Sequence, residues 1–278
     1  MSIKQKVKNI LKMSVSVMRD REIIPILRPV DSEHMLRGKV AIVTGGSGGI
    51  GYAIAKSFIE SGCKIIITGT NEDKLKQCCK DLGDNAKYIT LNLNDVSSFG
   101  EKVEEAAKIF GTIDVLVNSA GIFSTKNDFL HVEEEEYDNI MNVNLKGTYF
   151  ICQAVANYMV LNKIKGHILL ISSQSALEPA WSPYRLSKCG VKGVTLGLAQ
   201  QLLPYKIIVN AIAPGPTATI MQGYNKGESI RTDGNPVGRF TMPDEIAIYA
   251  KYLVSNLGDM IIGDTLYISG GRGITDVR

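Results

Sequence analysis

Short apolar, β-branched runs alternate along this chain with longer segments in which apolar residues recur at helical spacing. The runs cover residues 40–43, 64–68, 88–91, 113–117, 167–171, 207–211 and 265–268. The helical segments lie near 50–61, 72–82, 97–109, 133–162, 184–203 and 243–256, the fourth with a break near Gly147. Strands that are apolar throughout are buried on both faces, so they need helices on both sides of a parallel sheet. The sequence therefore predicts an α/β fold with a doubly wound, seven-stranded parallel sheet.

The composition is that of a single well-packed domain. Of the 278 residues, 45% are hydrophobic and 21% are charged, a balance typical of globular proteins. The formal net charge is +3, but residues 1–30 carry seven basic and two acidic side chains, so the rest of the chain is slightly acidic. Because a nucleic-acid-binding surface concentrates basic residues on a folded face, no nucleic-acid partner is expected.

Cysteine usage indicates a reducing compartment. The five cysteines include no Cys-x-x-Cys pair, and the three histidines complete no ligand set, so neither a disulfide framework nor a metal site is expected. No apolar stretch reaches the ~18 residues that a membrane span needs. Lys12 interrupts the weakly apolar N-terminal segment, which argues against a secretory signal. We therefore expect a cytoplasmic protein without integral membrane spans.

A glycine-rich turn follows the first predicted strand. It reads Thr44-Gly45-Gly46-Ser47-Gly48-Gly49-Ile50-Gly51 and leads directly into the first helix. Side chains in such a turn would keep a pyrophosphate from the backbone N–H groups at the helix N-terminus, where the helix dipole also favours an anion. A glycine pattern alone is weak evidence, but its position between a strand and a helix predicts a Rossmann-like, dinucleotide-binding fold.

This loop and the motifs that follow it in order resemble the short-chain dehydrogenase/reductase family. The later motifs are Asn118-Ser119-Ala120-Gly121, Asn142-Val143-Asn144-Leu145, Ile171-Ser172-Ser173, Tyr184-x-x-x-Lys188, Pro214-Gly215 and Gly270-Gly271. The resemblance covers about residues 37–273. It implies an NAD(P)H-dependent oxidoreductase, such as a carbonyl reductase, that interconverts a ketone and a secondary alcohol. It also implies a small-molecule carbonyl or alcohol substrate and a homodimer or homotetramer.

Tyr184 and Lys188 are the predicted catalytic pair. On a helix this spacing puts both side chains on one face, so the ammonium can lower the pKa of the phenol, which is ~10 when unperturbed. The resemblance implies that Tyr184 is the general acid/base and that Lys188 also binds the nicotinamide ribose. Tyr52 and Lys56 have the same spacing, but they follow the glycine turn and are interpreted as a surface helix pair.

The resemblance supplies two further catalytic residues. Ser173 would hold the substrate oxygen, with Ser172 as the neighbouring candidate, and Asn144 would position a water in the proton relay. Ten residues separate Ser173 from Tyr184, about two fewer than is usual in the family, so the wall of the substrate pocket is expected to differ. Trp181 in this short loop is either a substrate contact or a packed aromatic residue.

The cofactor contacts are expected at the ends of successive strands. They are Gly45, Ser47, Gly49, Ile50, Gly51, Thr70, Asn71, Asn92, Leu93, Asn118, Ala120, Gly121, Tyr184, Lys188, Pro214, Gly215, Thr217 and Thr219. An acidic residue after the second strand would select NAD by binding its ribose 2′-hydroxyl. Gly69 stands there, followed by Thr70, so no carboxylate repels a 2′-phosphate. NADP is therefore the preferred prediction, with NAD as the alternative.

The sequence leaves an alternative function and the identity of the substrate open. A non-catalytic nucleotide-binding regulator or scaffold on the same fold is the alternative function, because a fold alone does not establish activity. The substrate is also unassigned: the predicted lid, residues 214–240, contains both apolar and charged side chains. A β-keto thioester, a sterol, a sugar and a small xenobiotic all fit.

The motifs divide the chain into a basic N-terminal extension, residues 1–36, and a single dinucleotide-binding and catalytic domain, residues 37–278. Apolar residues in the extension follow helical spacing among lysines. This pattern permits a basic amphipathic helix on an anionic membrane or on another protein. A solvated or subunit-wrapping arm is the other interpretation.

Overall fold

The computed structural model describes residues 34–123 and 128–274. The lysine-rich part of the N-terminal extension, for which the sequence permits either an amphipathic helix or an arm, lies outside these residues. Leu36, assigned by the sequence to the extension, is fully buried in the core, and its N–H donates a hydrogen bond of 3.1 Å to the carbonyl oxygen of Ser61. The last residues before the first strand are thus part of the folded domain.

Seven parallel strands form the sheet within the described residues, as predicted. They are β1 (Val40–Thr44), β2 (Lys64–Gly69), β3 (Ala86–Thr90), β4 (Val115–Asn118), β5 (His167–Ile171), β6 (Ile208–Pro214) and β7 (Thr265–Ile268). Their order across the sheet is β3-β2-β1-β4-β5-β6-β7. The order reverses its direction between β1 and β4, and a ligand crevice is expected at such a reversal.

Seven α-helices connect or flank these strands in the described part of the chain. They are α1 (Gly49–Glu60), α2 (Glu72–Leu82), α3 (Phe99–Phe110), α4 (Glu134–Met141), α5 (Thr148–Leu161), α6 (Pro183–Leu202) and α7 (Pro243–Leu253). A π-helical segment, Asn142–Gly147, joins α4 to α5. The predicted break near Gly147 is therefore a change in helical winding. A Cβ on Gly147 would lie 2.5 Å from the carbonyl oxygen of Leu93, so only glycine permits this close approach.

The two faces of the sheet carry separate cores. On one face α3, α5 and α6 pack through residues such as Phe99, Ile151 and Val191. On the other face α1 and α7 pack through residues such as Phe58 and Ile246. Because both faces are covered, the central strands β1, β4 and β5 are buried along their whole length, which is the pattern that predicted the fold.

The start of β4 differs from the prediction at a point where a side chain replaces backbone pairing. Residue 113 was predicted to begin the fourth strand, but β4 begins at Val115. Immediately before it, Asp114 accepts a hydrogen bond of 2.9 Å from the N–H of Val40 through its carboxylate. The Asp114 carboxylate therefore occupies the Val40 N–H, which would pair with a backbone carbonyl if β4 began earlier.

Among the described residues, the structure contains no candidate for a membrane-spanning helix.

Candidate active site

The turn between β1 and α1 has the geometry of an anion cradle. Gly45 has a φ of +64°, and a Cβ there would lie 2.9 Å from the backbone of Ala120. A Cβ on Gly51 would lie 2.4 Å from the carbonyl oxygen of Gly45. α1 starts at Gly49 with no side-chain cap and no acidic residue in its first turn. Its N–H groups and dipole are therefore available, and the loop fits the pyrophosphate of a dinucleotide.

A buried hydrogen-bond chain fixes this turn to the end of β4. The hydroxyl of Thr44 accepts from the N–H groups of Ser119 and Ala120, both at 3.1 Å, and donates to Asn118 Oδ1 at 2.6 Å. Asn118 Nδ2 donates to Thr148 Oγ1 at 2.8 Å, and that hydroxyl donates to a backbone carbonyl of the π-helical segment. The Asn118 amide is thus occupied within the protein, so its side chain holds the two loops together.

The start of α6 positions the predicted catalytic pair. Ser182 caps the helix by accepting a hydrogen bond of 3.3 Å from a backbone N–H of the first turn, and Pro183 occupies the first helical position. Tyr184 and Lys188 follow one turn apart. Lys188 Nζ lies 5.7 Å from the centre of the Tyr184 ring and donates a hydrogen bond of 3.0 Å to the carbonyl oxygen of Ile171. The structure therefore brings the pair together at the end of β5.

Burial dominates the acid–base properties of this pair. It raises the pKa of Tyr184, and a hydrogen bond with Ser173 partly offsets the rise. It lowers the pKa of Lys188 from 10.5 to about 8. The sequence predicted that Lys188 would lower the pKa of Tyr184, whereas the structure shows the opposite net direction because desolvation disfavours the phenolate. A raised pKa keeps the phenol protonated, the form that can donate a proton to a carbonyl oxygen.

The two serines at the end of β5 have different partners. Ser172 Oγ donates a hydrogen bond of 3.3 Å to the carbonyl oxygen of Lys188, which anchors the helix. Ser173 Oγ donates at 3.0 Å to Gln174 Oε1 and accepts from a backbone N–H two residues later. Ser173 is also the serine that hydrogen-bonds to Tyr184. Of the two candidates, Ser173 is the one that interacts with the Tyr184 phenol.

Asn144 lies in the π-helical segment and is almost fully buried. Its Oδ1 accepts from the N–H of Ile122 at 2.8 Å, and its Nδ2 donates to the carbonyl oxygen of Ile122 at 2.9 Å and to Ser187 Oγ at 3.2 Å. A Cβ on Gly121 would lie 3.2 Å from Asn144 Oδ1 and 3.7 Å from Lys188 Nζ. Asn144 is close to the pair, but its amide is already used to orient the loop after β4.

A cavity of about 380 Å³ lies in front of Ser173 and Tyr184. Its lining also includes predicted cofactor contacts at the end of β6 and in the glycine turn, namely Ile50, Pro214, Gly215, Thr217 and Thr219. Residues predicted to be catalytic and residues predicted to contact the nicotinamide therefore share one cavity, although they come from separate stretches of the chain. Tyr52 and Lys56 lie in α1 and do not contribute to its lining, as the sequence predicted.

The expected adenosine end of the site lies beyond β2. Asn71 Oδ1 caps α2 by accepting a hydrogen bond of 2.9 Å from the N–H of Lys74, so this side chain is partly occupied. Lys74 Nζ lies 3.1 Å from the position that a Cβ on Gly48 would take. The ammonium of Lys74 therefore reaches the glycine turn, in the space that a side chain at position 48 would fill. Thr70 immediately follows β2 at the same edge.

The predicted adenine contacts follow β3. Asn92 is exposed, and its Oδ1 accepts a hydrogen bond of 3.0 Å from the N–H of Asn94, which leaves its amide nitrogen for a ligand. Leu93 is buried, with its backbone packed against Gly147. The two residues lie at the carboxyl edge of the sheet but apart from the catalytic cavity.

Sequence reasoning missed a group of charged residues on the cavity wall. Arg185 lies with its guanidinium carbon 4.8 Å from the centre of the Trp181 ring. Arg185 and Arg272 both line the cavity and both contact Glu178, at 2.9 and 3.0 Å. The shortened loop between Ser173 and Tyr184, noted in the sequence, was the signal that this wall would differ.

Comparison with known proteins agrees with the motifs. A family model described as short chain dehydrogenase matches residues 39–229. A 3-oxoacyl-[acyl-carrier-protein] reductase, FabG, of Chlamydia muridarum is 38% identical over 248 residues, covering 85% of this chain and 98% of its own. A 2-dehydro-3-deoxy-D-gluconate 5-dehydrogenase of Dickeya dadantii is 32% identical over 250 residues, covering 85% of this chain and 96% of its own.

A solved structure extends the agreement to the fold. The 3-ketoacyl-(acyl-carrier-protein) reductase of Brucella melitensis, crystallised in complex with NADH, superimposes with a TM-score of 0.80 at 32% identity. The match covers 86% of this chain and all of that one. Nothing in these comparisons supports a non-catalytic scaffold. The chain belongs to the short-chain dehydrogenase/reductase family and is an NAD(P)H-dependent oxidoreductase that interconverts a ketone and a secondary alcohol.

Proposed function

We propose that Tyr184 is the proton donor in ketone reduction and that Ser173 holds the substrate oxygen beside it. A bound nicotinamide cofactor supplies the hydride. As the carbonyl carbon accepts the hydride, negative charge develops on the oxygen, and a donor within hydrogen-bond reach stabilises it. The raised pKa of Tyr184 supports this assignment, because the phenol is protonated at neutral pH. In alcohol oxidation the same group accepts the proton.

Lys188 and Asn144 are proposed to support this step in different ways. The Lys188 ammonium, with a pKa lowered to about 8, still carries its charge at neutral pH and stabilises the phenolate that proton transfer leaves on Tyr184. It is also proposed to bind the ribose hydroxyls. The amide of Asn144 is occupied by Ile122 and Ser187, and its backbone carbonyl accepts a hydrogen bond of 2.8 Å from Thr148 Oγ1, so a relay water would be held by the second lone pair of that carbonyl.

The proposed cofactor cradle runs along the carboxyl edge of the sheet. The pyrophosphate contacts the glycine turn, and the nicotinamide side contacts the loop after β6. Thr219 supports this arrangement, since its Cγ2 lies 3.3 Å from the position of a Cβ on Gly49, so the lid meets the turn there. At the other end, Lys74 beside Gly48 and Thr70 after β2 favour the 2′-phosphate of NADP over the free hydroxyl of NAD.

The remaining proposals concern assembly and compartment. The exposed Tyr149 on α5 and Leu196 on α6 support a homodimer or homotetramer built on these helices. Ile151, Cys152 and Val155 of α5 are buried in the core and take no part in this surface. All five cysteines are free thiols, which is consistent with the proposed cytoplasm.

The observation that carries the catalytic proposal is the convergence of Ser173, Tyr184 and the β6 loop on one cavity. The test is a screen of NADPH and NADH oxidation with ketones of the four open substrate classes. Tyr184→Phe should lower kcat by roughly 10²–10⁴, the usual contribution of a positioned proton donor. Tyr52→Phe is the matched control, because it also precedes a lysine by four residues, and it should retain wild-type activity. Full activity in Tyr184→Phe would refute the mechanism.

A further inference from the structure

The part of the cavity wall that the structure describes carries two positively charged side chains and no carboxylate. Among the described residues that line it, the only ionised side chains at neutral pH are those of Arg185 and Arg272. Other polar groups in the lining, such as those of Gln174 and Gln222, are uncharged.

Arg185 is held in a fixed orientation. Its guanidinium stacks on the indole of Trp181, with its central carbon 4.8 Å from the ring centre. Its Nη1 donates a hydrogen bond of 3.2 Å to the carbonyl oxygen of Pro179, and its Nη2 lies 2.9 Å from Glu178 Oε2. With 20% of its side chain exposed, Arg185 loses little further freedom when it binds a ligand.

Glu178 neutralises only part of this charge. Its Oε1 accepts a hydrogen bond of 3.0 Å from Arg272 Nε, while its Oε2 contacts Arg185 without hydrogen-bond geometry. Arg272 is further anchored by a hydrogen bond of 2.8 Å to the carbonyl oxygen of Gly234. The single carboxylate of Glu178 therefore contacts two guanidinium groups. Together, these three side chains have a net charge of +1 beside the Tyr184 phenol.

The cavity is also small. Its volume of about 380 Å³ includes the space beside Pro214, Gly215 and Thr219, where the nicotinamide is proposed to lie. Ligand sites generally measure ~300–1,000 Å³, so what remains suits a compact substrate. A compact ketone that uses Arg185 must present a group matched to a planar, charged fork, and carboxylate and phosphate have that geometry.

We propose that the substrate is a small ketone that carries a carboxylate or phosphate group. Arg185 binds this anionic group, and Arg272 increases the positive electrostatic potential in the cavity. This inference rests on the proposed function, because it takes Tyr184 and Ser173 as the site of the reacting carbonyl. Arg185 is thus a specificity-determining residue next to the proton donor.

Binding can be measured without catalysis, because Trp181 is the only tryptophan of the chain. Acetoacetate, titrated without cofactor, should change the Trp181 fluorescence at lower concentration than methyl acetoacetate does. Dihydroxyacetone phosphate, compared with dihydroxyacetone, tests phosphate in place of carboxylate. In Arg185→Met the affinity for the preferred anion should fall about 10- to 100-fold, as expected for loss of a charge-assisted contact, while binding of the neutral partner stays unchanged.

Two further variants control for structure. Arg37→Met removes an exposed arginine away from the cavity and should bind like the wild type. Arg185→Lys keeps the charge but loses the planar fork, so it should give an intermediate affinity even if Arg185→Met folds poorly. Equal binding of charged and neutral partners to the wild type, or equal weakening of both in the Arg185 variants, would overturn the proposal.

Steady-state kinetics separate this proposal from the catalytic one. With NADPH, the wild type should show a higher kcat/KM for the anionic ketone than for its neutral partner, and Arg185→Met should lose that difference. Tyr184→Phe should bind the anion normally yet turn over neither substrate. Anion binding with retained turnover in Tyr184→Phe would reject only the proton donor, whereas normal catalysis without anion preference would reject only the role of Arg185.

Discussion

Lys188 Nζ lies 5.7 Å from the centre of the Tyr184 ring, one helical turn further along α6. The ammonium is buried, and its one hydrogen bond to a described residue goes to the carbonyl oxygen of Ile171. A buried cation is costly to the fold unless it is fully paired. The pair therefore places a stability cost at the position where catalysis needs a positive charge.

Replacing Lys188 with methionine should make the protein more stable and nearly inactive. Burial lowers the pKa of Lys188 from 10.5 to about 8. At pH 7 the folded protein therefore keeps Lys188 charged, although burial disfavours the charged form. Removing it should raise the free energy of unfolding by about 1–3 kcal/mol, allowing for the unpaired Ile171 carbonyl. Urea unfolding at pH 7 measures this change, and NADPH oxidation measures the loss of activity.

The same variant has a pH signature. Between pH 8 and 10.5 the unfolded wild type binds more protons at Lys188 than the folded state does, so wild-type stability rises relative to the variant as the pH increases. The advantage of Lys188→Met should shrink by about 1 kcal/mol between pH 7 and pH 9. An advantage that is constant over this range would show that Lys188 has an ordinary pKa.

Thr44→Val should destabilise the protein although valine has the same shape. The Thr44 hydroxyl accepts from two partly buried backbone N–H groups and donates to the buried Asn118 amide, so valine leaves three polar groups without this partner. We expect a loss of about 2–4 kcal/mol in urea unfolding. Thr44→Ser keeps the hydroxyl and is the matched control. A Thr44→Val protein as stable as Thr44→Ser would contradict the proposed linkage of the two loops.

Much of the fold could be predicted because burial on both faces leaves a clear record in the strands. The limits of β6, Ile208–Pro214, extend beyond the predicted 207–211 because pairing with β7 continues to Pro214. Local sequence carries no signal for such pairing. The proximity of Tyr184 and Lys188 could be predicted because the two residues are neighbours on one helix.

The charged wall of the cavity could not be predicted in the same way. Glu178 meets Arg272 from a position 94 residues away in the chain, and only the folded sheet brings the two together. Asn144 shows a related limit: the motif gave its place, but its hydrogen bonds to Ile122 and Ser187 depend on tertiary packing. Sequence therefore located the proposed catalytic residues better than it located the charged residues of the cavity wall.

Gly45→Ala should abolish tight cofactor binding. The residue has a φ of +64°, and a Cβ there would lie 2.9 Å from the backbone of Ala120. Because both are backbone positions, relieving this clash requires a shift of one of the two loops. We expect dinucleotide affinity to fall by about 100-fold or more and stability to fall by about 1–3 kcal/mol. Gly100→Ala in α3 is the control, because a Cβ there meets nothing within 4 Å and alanine favours the helix. Fluorescence titration with NADPH distinguishes the two variants.

Lys74 provides the sharpest test of cofactor preference. Its ammonium reaches the space beside Gly48, next to the proposed position of the ribose 2′-substituent. Lys74→Ala should therefore weaken NADPH binding by roughly tenfold, because one charge-assisted contact to a phosphate is lost, and should leave NADH binding unchanged. Lys76→Ala, on the same helix but paired with Glu72 at 2.9 Å, should affect neither cofactor. If fluorescence titration of the wild type showed NADH binding tenfold or more tightly than NADPH, the inferred preference for NADP would be wrong, and Lys74 would be a surface lysine with no part in cofactor selection.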